Sequence, residues 1–251
     1  MRCLALVLVL SLASPAAAQI NTEQLRKSTD DGIHLQLDAG GGFSSGNTDI
    51  LQLSAGARVD ASAGENSGFG LARYTLSEVD GATDVSNAFA HLRYNSEIAP
   101  DVIGEVFAQV ERNEQTLLAR RYLVGGGVRF EIIETEAVGF AFGTTPMIER
   151  ERLRPEAMED PVTAFRWSNY LALRVDVSET AEAFAVVYGQ PRVEAASDYR
   201  ILHEARLDLD VTRFVKVRVR NMVRYDSQPP LGVESTDVML TTGLVFNSLG
   251  N

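Results

Sequence analysis

The sequence predicts an all-β protein, a transmembrane antiparallel β-barrel of about 12 strands of the outer-membrane type. Three observations predict this fold. Apolar and polar residues alternate with a period of two through most of the chain, which is the spacing of a strand. Many of these runs exceed ten residues, whereas strands of globular proteins usually have about five or six. The longest uncharged stretch beyond the first twenty residues is 238–251, too short for a spanning helix, so a membrane could be crossed only by strands.

Composition excludes several classes of protein. A length of 251 residues suits one large β domain. The chain carries 34 acidic residues against 23 lysines and arginines, a formal net charge of −11, which argues against a nucleic-acid partner. Its single cysteine, Cys3, excludes a disulfide framework and a cysteine zinc site. We expect no cofactor.

The first residues have the pattern of a secretory signal peptide. Arg2 precedes the apolar run Leu4–Leu10, and Ala16–Ala18 provides an A-x-A cleavage site. The alternative is an uncleaved membrane anchor, but the apolar centre has only about ten residues against the roughly 20 that a spanning helix needs. We therefore predict that residues 1–18 are removed.

The rest of the chain shows no linker or change of composition, so we predict one domain. Residues 19–31 form a polar, periplasmic N-terminal segment, loose or briefly helical, and residues 32–251 form a single β-barrel domain. The predicted strands are 33–43, 50–62, 68–79, 84–96, 101–113, 116–132, 137–149, 162–177, 181–190, 198–211, 215–226 and 236–247.

The connections between these strands alternate in length. One set is short: 63–67, 97–100, 133–136, 178–180 and 212–214. The other set contains the longest and most proline-rich connections: 150–161, 191–197 and 227–235. Outer-membrane barrels have short periplasmic turns and longer outer loops, so this asymmetry favours a barrel with a periplasmic N-terminus.

The tenth and eleventh predicted strands allow a prediction of register. Their charged residues share one face, and a turn at 212–214 then sets the partners. The expected inward pairs are Asp210 with Lys216, Asp208 with Arg218, and Arg206 with Arg220; the expected outward pairs are Leu209 with Val217 and Leu207 with Val219. The like-charged pair would be relieved diagonally by Asp208 and Glu204.

These residues form the candidate site, a ladder of charges in the barrel lumen. It comprises Glu204, Arg206, Asp208, Asp210, Lys216, Arg218 and Arg220. The basic row that ends at Arg224 could instead line a path for anions. We favour the ion-pair ladder, because the register provides each cation with a carboxylate.

Motifs for catalysis are weak. Gly42–Gly46 matches the G-x-S-x-G nucleophile pattern, but a strand and not a helix follows it, which predicts a hairpin turn. His34, His91 and His203 are too far apart for a local metal motif, although a Ser–His pair of a lipid hydrolase stays an alternative. We interpret Gly125–Gly127 as glycines that permit curvature or close packing of the barrel wall.

Two segments resemble a known family. Ser45-Gly46-Asn47-Thr48-Asp49 follows a glycine-rich first strand, and an R…G-x-G strand, 120–130, lies near the middle of the chain. This pattern is similar to the salt-induced outer-membrane protein family, also called YdiY-like or domain of unknown function 481. The resemblance covers the mature chain, although the Gly-x-Gly appears here as a triple glycine. It implies a Gram-negative outer-membrane barrel of uncertain function and carries no catalytic residues across.

We therefore expect an outer-membrane protein that is not an enzyme, with a structural or envelope-stress role or a narrow channel for small solutes or ions. Its expected partners are outer-membrane lipids and the barrel-insertion machinery, with no nucleic acid, and we expect a monomer. The alternatives are an outer-membrane lipid hydrolase and a soluble periplasmic ligand-binding β-barrel.

Overall fold

The chain forms one antiparallel sheet of twelve strands in a computed structural model that describes residues 31–46, 48–212 and 214–246. The strands follow one another around the sheet in chain order, and each pairs with the next. They are β1 Gly32–Ser44, β2 Ile50–Ala63, β3 Asn66–Val79, β4 Ala82–Ala99, β5 Val102–Asn113, β6 Leu118–Glu134, β7 Val138–Leu153, β8 Val162–Ser178, β9 Ala181–Arg192, β10 Ala195–Thr212, β11 Val215–Asp226 and β12 Thr236–Phe246. The predicted class and strand number are confirmed.

Little of the described chain is helical. A single 3-10 turn, Pro155–Ala157, lies between β7 and β8. None of the helical structure in the described ranges is long and apolar enough to cross a membrane. The predicted signal peptide, and all of the predicted N-terminal segment except Asp31, lie outside the described residues.

Strand ends differ from the predictions by a few residues, and one predicted connection is wrong. The long connection expected over 191–197 is reduced to 193–194, because β9 and β10 continue through it. Pro191 pairs with Tyr199, and the register shifts between Tyr199 and Ala195. On its other side the β8–β9 ladder has a gap between Gly189 and Arg192. Proline lacks an N–H donor, so it is tolerated in this strand because the neighbouring ladder is interrupted there.

The other connections confirm the predicted asymmetry. The connections at one end of the sheet, which we call the short-turn end, are 64–65, 100–101, 135–137, 179–180 and 213–214. Those at the opposite end, the loop end, are 45–49, 80–81, 114–117, 154–161, 193–194 and 227–235. The longest connections therefore lie at the loop end.

The sheet is curled around its inward face. On β10, Leu202 and Glu204 are buried on that face, whereas Leu207 and Leu209 are exposed on the other. Strands that are not neighbours meet across the inward side: the Tyr170 hydroxyl of β8 donates to a Glu105 carboxylate oxygen of β5 at 3.1 Å. An apolar cluster on β8–β11 fills part of this interior and consists of Tyr170, Ala172, Val186, Tyr188, Leu202 and Met222. In the described strands the ladders end at β1 and β12.

The triple glycine marks a close approach between β6 and β7. Gly125 pairs with Met147 and Val128 with Thr144, and the ladder is open between these pairs. A Cβ atom on Gly127 would lie 2.1 Å from the Thr144 carbonyl oxygen and 2.7 Å from the next Cα atom. The glycine therefore permits close packing of the wall, as the sequence predicts.

Replacement of Gly127 by alanine should destabilise the fold by about 1–3 kcal/mol, because the new methyl group would overlap backbone atoms that cannot rotate away. The Gly189→Ala variant is a matched control, since no atom lies within 4 Å of the position of its added Cβ. Urea titration of the detergent-folded proteins measures both effects. Equal midpoints for the two variants would contradict the assigned close approach.

Candidate functional site in the sheet interior

The predicted register of β10 and β11 is confirmed. The inward pairs are Arg206 with Arg220, Asp208 with Arg218, and Asp210 with Lys216, and the outward pairs are Leu207 with Val219 and Leu209 with Val217. Past these pairs the register shifts, and Thr212 pairs with Val215. The shift permits a tighter turn than the predicted 212–214 and leaves the charged pairs in place.

Ion pairs link the seven ladder residues. Asp208 accepts hydrogen bonds from Arg218 Nε at 2.7 Å and Nη2 at 2.8 Å, the fork geometry in which arginine binds carboxylate well. Lys216 Nζ lies 3.7 Å from Asp210 and 3.8 Å from Asp208. The ladder is therefore present as a set of ion pairs, and its functional role stays a prediction.

The like-charged pair inside the ladder is neutralised from both sides. Arg220 contacts Glu204 diagonally across the two strands, as expected, and Arg206 lies 3.4 Å from Asp208, two residues along its own strand. Arg206 also contacts Glu182 of β9, a partner that the pattern of β10 and β11 does not predict. Both arginines thus have carboxylate partners on the inward face.

A second, more deeply buried group lies nearer the loop end. Glu149 of β7 accepts hydrogen bonds from Arg166 Nε at 3.1 Å and Arg200 Nη1 at 2.6 Å. Arg121 Nη2 contacts Glu151 at 2.5 Å, and Arg200 Nη2 reaches the same carboxylate at 3.1 Å. We call Arg121, Glu149, Glu151, Arg166 and Arg200 the central cluster.

The central cluster joins strands that do not pair with each other. Arg200 lies on β10, three strands along the sheet from Glu149 on β7. Arg166 of β8 similarly contacts Asp198 of β10 at 2.8 Å. The Glu149, Arg166 and Arg200 side chains are at most 8% exposed. Buried charges need paired partners, so these contacts across the interior hold the curled wall together.

Two cavities lie against the central cluster. One, of about 70 Å³, reaches the loop end and is lined by residues of the β11–β12 connection. The other, of about 50 Å³, lies inside the sheet and is lined by Phe107, Tyr170 and Tyr188 among others. Arg121 and Arg200 line both cavities. A cavity holds a water when its volume exceeds roughly 10–15 Å³, so both have room for several waters.

The inner wall next to the second cavity carries an aromatic stack. The His91 ring lies between Phe69 and Phe107, with centroids 5.5 and 5.6 Å away, and its Nδ1 is 3.2 Å from Gln109 Oε1. The Arg93 guanidinium lies over the Phe107 ring at 5.6 Å. These side chains come from three strands. Strand alternation predicts that these side chains share one face, but it does not predict that their rings stack.

His34, His203 and the serine motif occupy strand and turn positions in the described residues. His34 pairs with Asp60, and His203 lies between Val187 and Val223 on the outward face. Ser45 Oγ donates to Asp49 Oδ1 at 2.7 Å and β2 follows, which confirms the hairpin turn. In the part of the chain that the structure describes, no group of three or more histidine, cysteine or acidic residues could hold a metal ion.

Comparison with known proteins identifies the family. Residues 37–247 match the family described as "Protein of unknown function, DUF481". The chain belongs to this family. The family resemblance predicted from the S-G-N-T turn and the glycine-rich middle strand is therefore confirmed. Comparison with curated proteins finds no match to this DUF481 chain.

Two solved structures are similar to this DUF481 chain. The NanC porin has 8% sequence identity and a TM-score of 0.51, over 84% of this chain and 99% of its own. The translocator domain of the autotransporter NalP from Neisseria meningitidis has 10% identity and a TM-score of 0.43, over 89% of this chain and 90% of its own. At this identity the NanC likeness concerns the barrel fold alone.

Replacement of Glu149 by alanine should lower the free energy of unfolding by about 3 kcal/mol, because Arg166 and Arg200 lose a shared buried carboxylate. Glu134→Ala is the matched control: its contact with Arg174 is 3.4 Å and the Glu134 side chain is 59% exposed, so the expected loss is about 0–1 kcal/mol. Urea titration in detergent micelles gives both values. A loss no larger than that of the control would contradict the assigned role of the central cluster.

Proposed function

We propose that this DUF481 chain is an outer-membrane β-barrel that forms a narrow channel for ions and small solutes. One observation carries the proposal: the cavity at the loop end and the cavity inside the sheet share Arg121 and Arg200 as walls. These two arginines are shared walls of two spaces that each have room for several waters. A passage that narrows where these two arginines meet both spaces would admit water and small ions more readily than a sugar.

The outward face supports the membrane location. Large apolar side chains are exposed on it from strand to strand, for example Leu92, Val124, Ile148 and Leu171. A soluble monomer rarely exposes contiguous apolar surface of this kind, whereas a barrel in lipid requires it. Outward tyrosines and tryptophan, which favour membrane interfaces, include Tyr94, Tyr122, Trp167 and Tyr199.

The orientation follows from the connections. The short-turn end would face the periplasm and the loop end the outside, as in other outer-membrane barrels. Export would use residues 1–18 as a cleaved signal peptide, and the barrel-insertion machinery would place the monomer in the membrane. NanC, a porin by its name, has the same fold class and supports a channel, while the role itself rests on the interior of this chain.

A structural barrel without transport is the second candidate. The contacts across the interior favour this candidate, because they join non-adjacent strands and narrow the passage. These contacts are Arg200–Glu149, Arg166–Asp198 and Tyr170–Glu105. The lipid hydrolase alternative rests only on the three histidines. Replacement of each histidine by alanine, with lipid release as the assay, tests it: activity that is present and lost in one variant would support an enzyme.

Cell fractionation tests the location. The mature protein should sediment with the outer membrane, need detergent for extraction and migrate faster on a gel before heating than after. Export of the full-length chain should produce a form that begins at Gln19. A monomer that stays soluble without detergent would support the ligand-binding periplasmic barrel and end the membrane proposal.

Conductance in planar bilayers tests the channel. The charge-balanced double variant Arg200→Ser with Glu149→Ser removes one cation and one carboxylate that meet across the interior, so single-channel conductance should rise several-fold. Arg174→Ser with Glu134→Ser removes an exposed ion pair at the short-turn end and should leave conductance unchanged. If neither the unmodified protein nor the first variant conducts, the role is structural and the channel proposal is wrong.

A further inference from the structure

Four arginines interrupt the apolar outward face near the loop end of three neighbouring strands. Arg112 of β5, Arg120 of β6, and Arg150 and Arg152 of β7 are all exposed. Strand alternation places them outward, because Glu111, Arg121 and Glu151, next to them in sequence, belong to the ion-paired interior. We call these four residues the outer arginine row.

The row brings like charges into direct opposition. Arg120 is the cross-strand partner of Arg152, and Arg150 is the partner of Tyr122. Directly opposed side chains have Cβ atoms about 4.5–5.5 Å apart, and like charges at this spacing are destabilising. Arg150 and Arg152 lie on the same face of one strand, about 7 Å apart. Three cations are therefore crowded on a small area.

Carboxylates do not neutralise this group within the described residues. Arg112 lies 3.6 Å from Glu114, but Arg120, Arg150 and Arg152 form no ion pair among the described residues. An opposed arginine pair on the inward face differs in this respect. Arg206 and Arg220 also oppose each other, yet each contacts a carboxylate. Arg120, Arg150 and Arg152 thus carry three positive charges without a carboxylate partner among the described residues.

An apolar groove adjoins the row on the same face. It has a volume of about 650 Å³ and runs from β2 to β6. Its outward floor consists largely of small side chains, Ala55, Ala57, Ala72, Ala88 and Ala90, with Tyr74 and Tyr122 at its sides. Arg112 and Arg120 also line it. Small side chains leave room for extended hydrocarbon chains beside the strands.

We propose that the outer arginine row and this groove bind a phosphate-bearing glycolipid of the outer leaflet, of the lipid A type. The guanidinium groups of Arg120, Arg150 and Arg152 would bind the phosphates through charge-assisted hydrogen bonds, and acyl chains would lie in the alanine groove. The proposal rests on the proposed outer-membrane location, because only then does the loop end lie at the headgroups of the outer leaflet.

The test uses the purified mature protein in zwitterionic detergent and bisphosphorylated lipid A, with native mass spectrometry to measure affinity. Arg120→Gln with Arg152→Gln should weaken binding at least about tenfold, since two charge-assisted contacts are lost. Arg174→Gln with Arg192→Gln removes the same charge from partly exposed inward positions and should bind as the unmodified protein does.

Thermal unfolding distinguishes a binding role from a structural one. Without lipid, Arg120→Gln with Arg152→Gln should keep or raise the midpoint, because it removes a repulsive pair; a lower midpoint would overturn the proposal. With lipid A, the midpoint of the unmodified protein should rise more than that of the variant. Equal affinity for dephosphorylated lipid A, or equal stabilisation by inorganic phosphate alone, would also overturn it.

Failure of this inference is separable from failure of the proposed function. The Arg120→Gln with Arg152→Gln variant should still fractionate with the outer membrane and conduct as the unmodified protein does, because neither side chain faces the interior. Correct fractionation without lipid selectivity would defeat the lipid site alone. A protein absent from the outer membrane would defeat both.

Discussion

The pairing of buried charges on the inward face is the constraint on which the rest of this structure depends. Period-two alternation directs apolar side chains outward and sends many arginines and carboxylates to the same inner surface. A buried guanidinium without a partner is costly, so Arg200 contacts Glu149 and Glu151 of β7 and Asp226 of β11. Because β7 and β10 do not pair with each other, these contacts also require the sheet to curl.

The same contacts set the width of the interior. A wide aqueous pore keeps its wall charges hydrated, whereas here Glu149 and Glu204 are almost completely buried. The charges that stabilise the curled wall therefore also occupy the interior beside the two cavities. In the proposed channel, stability and permeability would depend on the same residues, and a change that opens the passage is expected to lower stability unless it removes cation and carboxylate together.

Sequence could predict the features that depend on one strand or one hairpin. The strand order, the face of each residue and the pair Asp208–Arg218 follow from alternation and a short turn, because hairpin register is a local property. Contacts such as Arg200–Glu149 and Tyr170–Glu105 depend on the curvature of several strands together, which no single segment encodes. The connection at 191–197 was mispredicted because Pro191 usually marks a turn, and here it lies in a strand beside an interrupted ladder.

Two cross-strand arginine pairs have the same pattern in the sequence but different surroundings in the fold. Arg206–Arg220 and Arg120–Arg152 are equivalent as cross-strand pairs, yet the first is surrounded by Glu182, Glu204 and Asp208. The second lies on a face where alternation otherwise places apolar side chains, beside an alanine groove. A charged residue that breaks the strand alternation and has no partner within the chain marks a place where a binding site is expected. On the inward face a carboxylate of the chain supplies the missing charge, and on the outward face it must come from the surroundings.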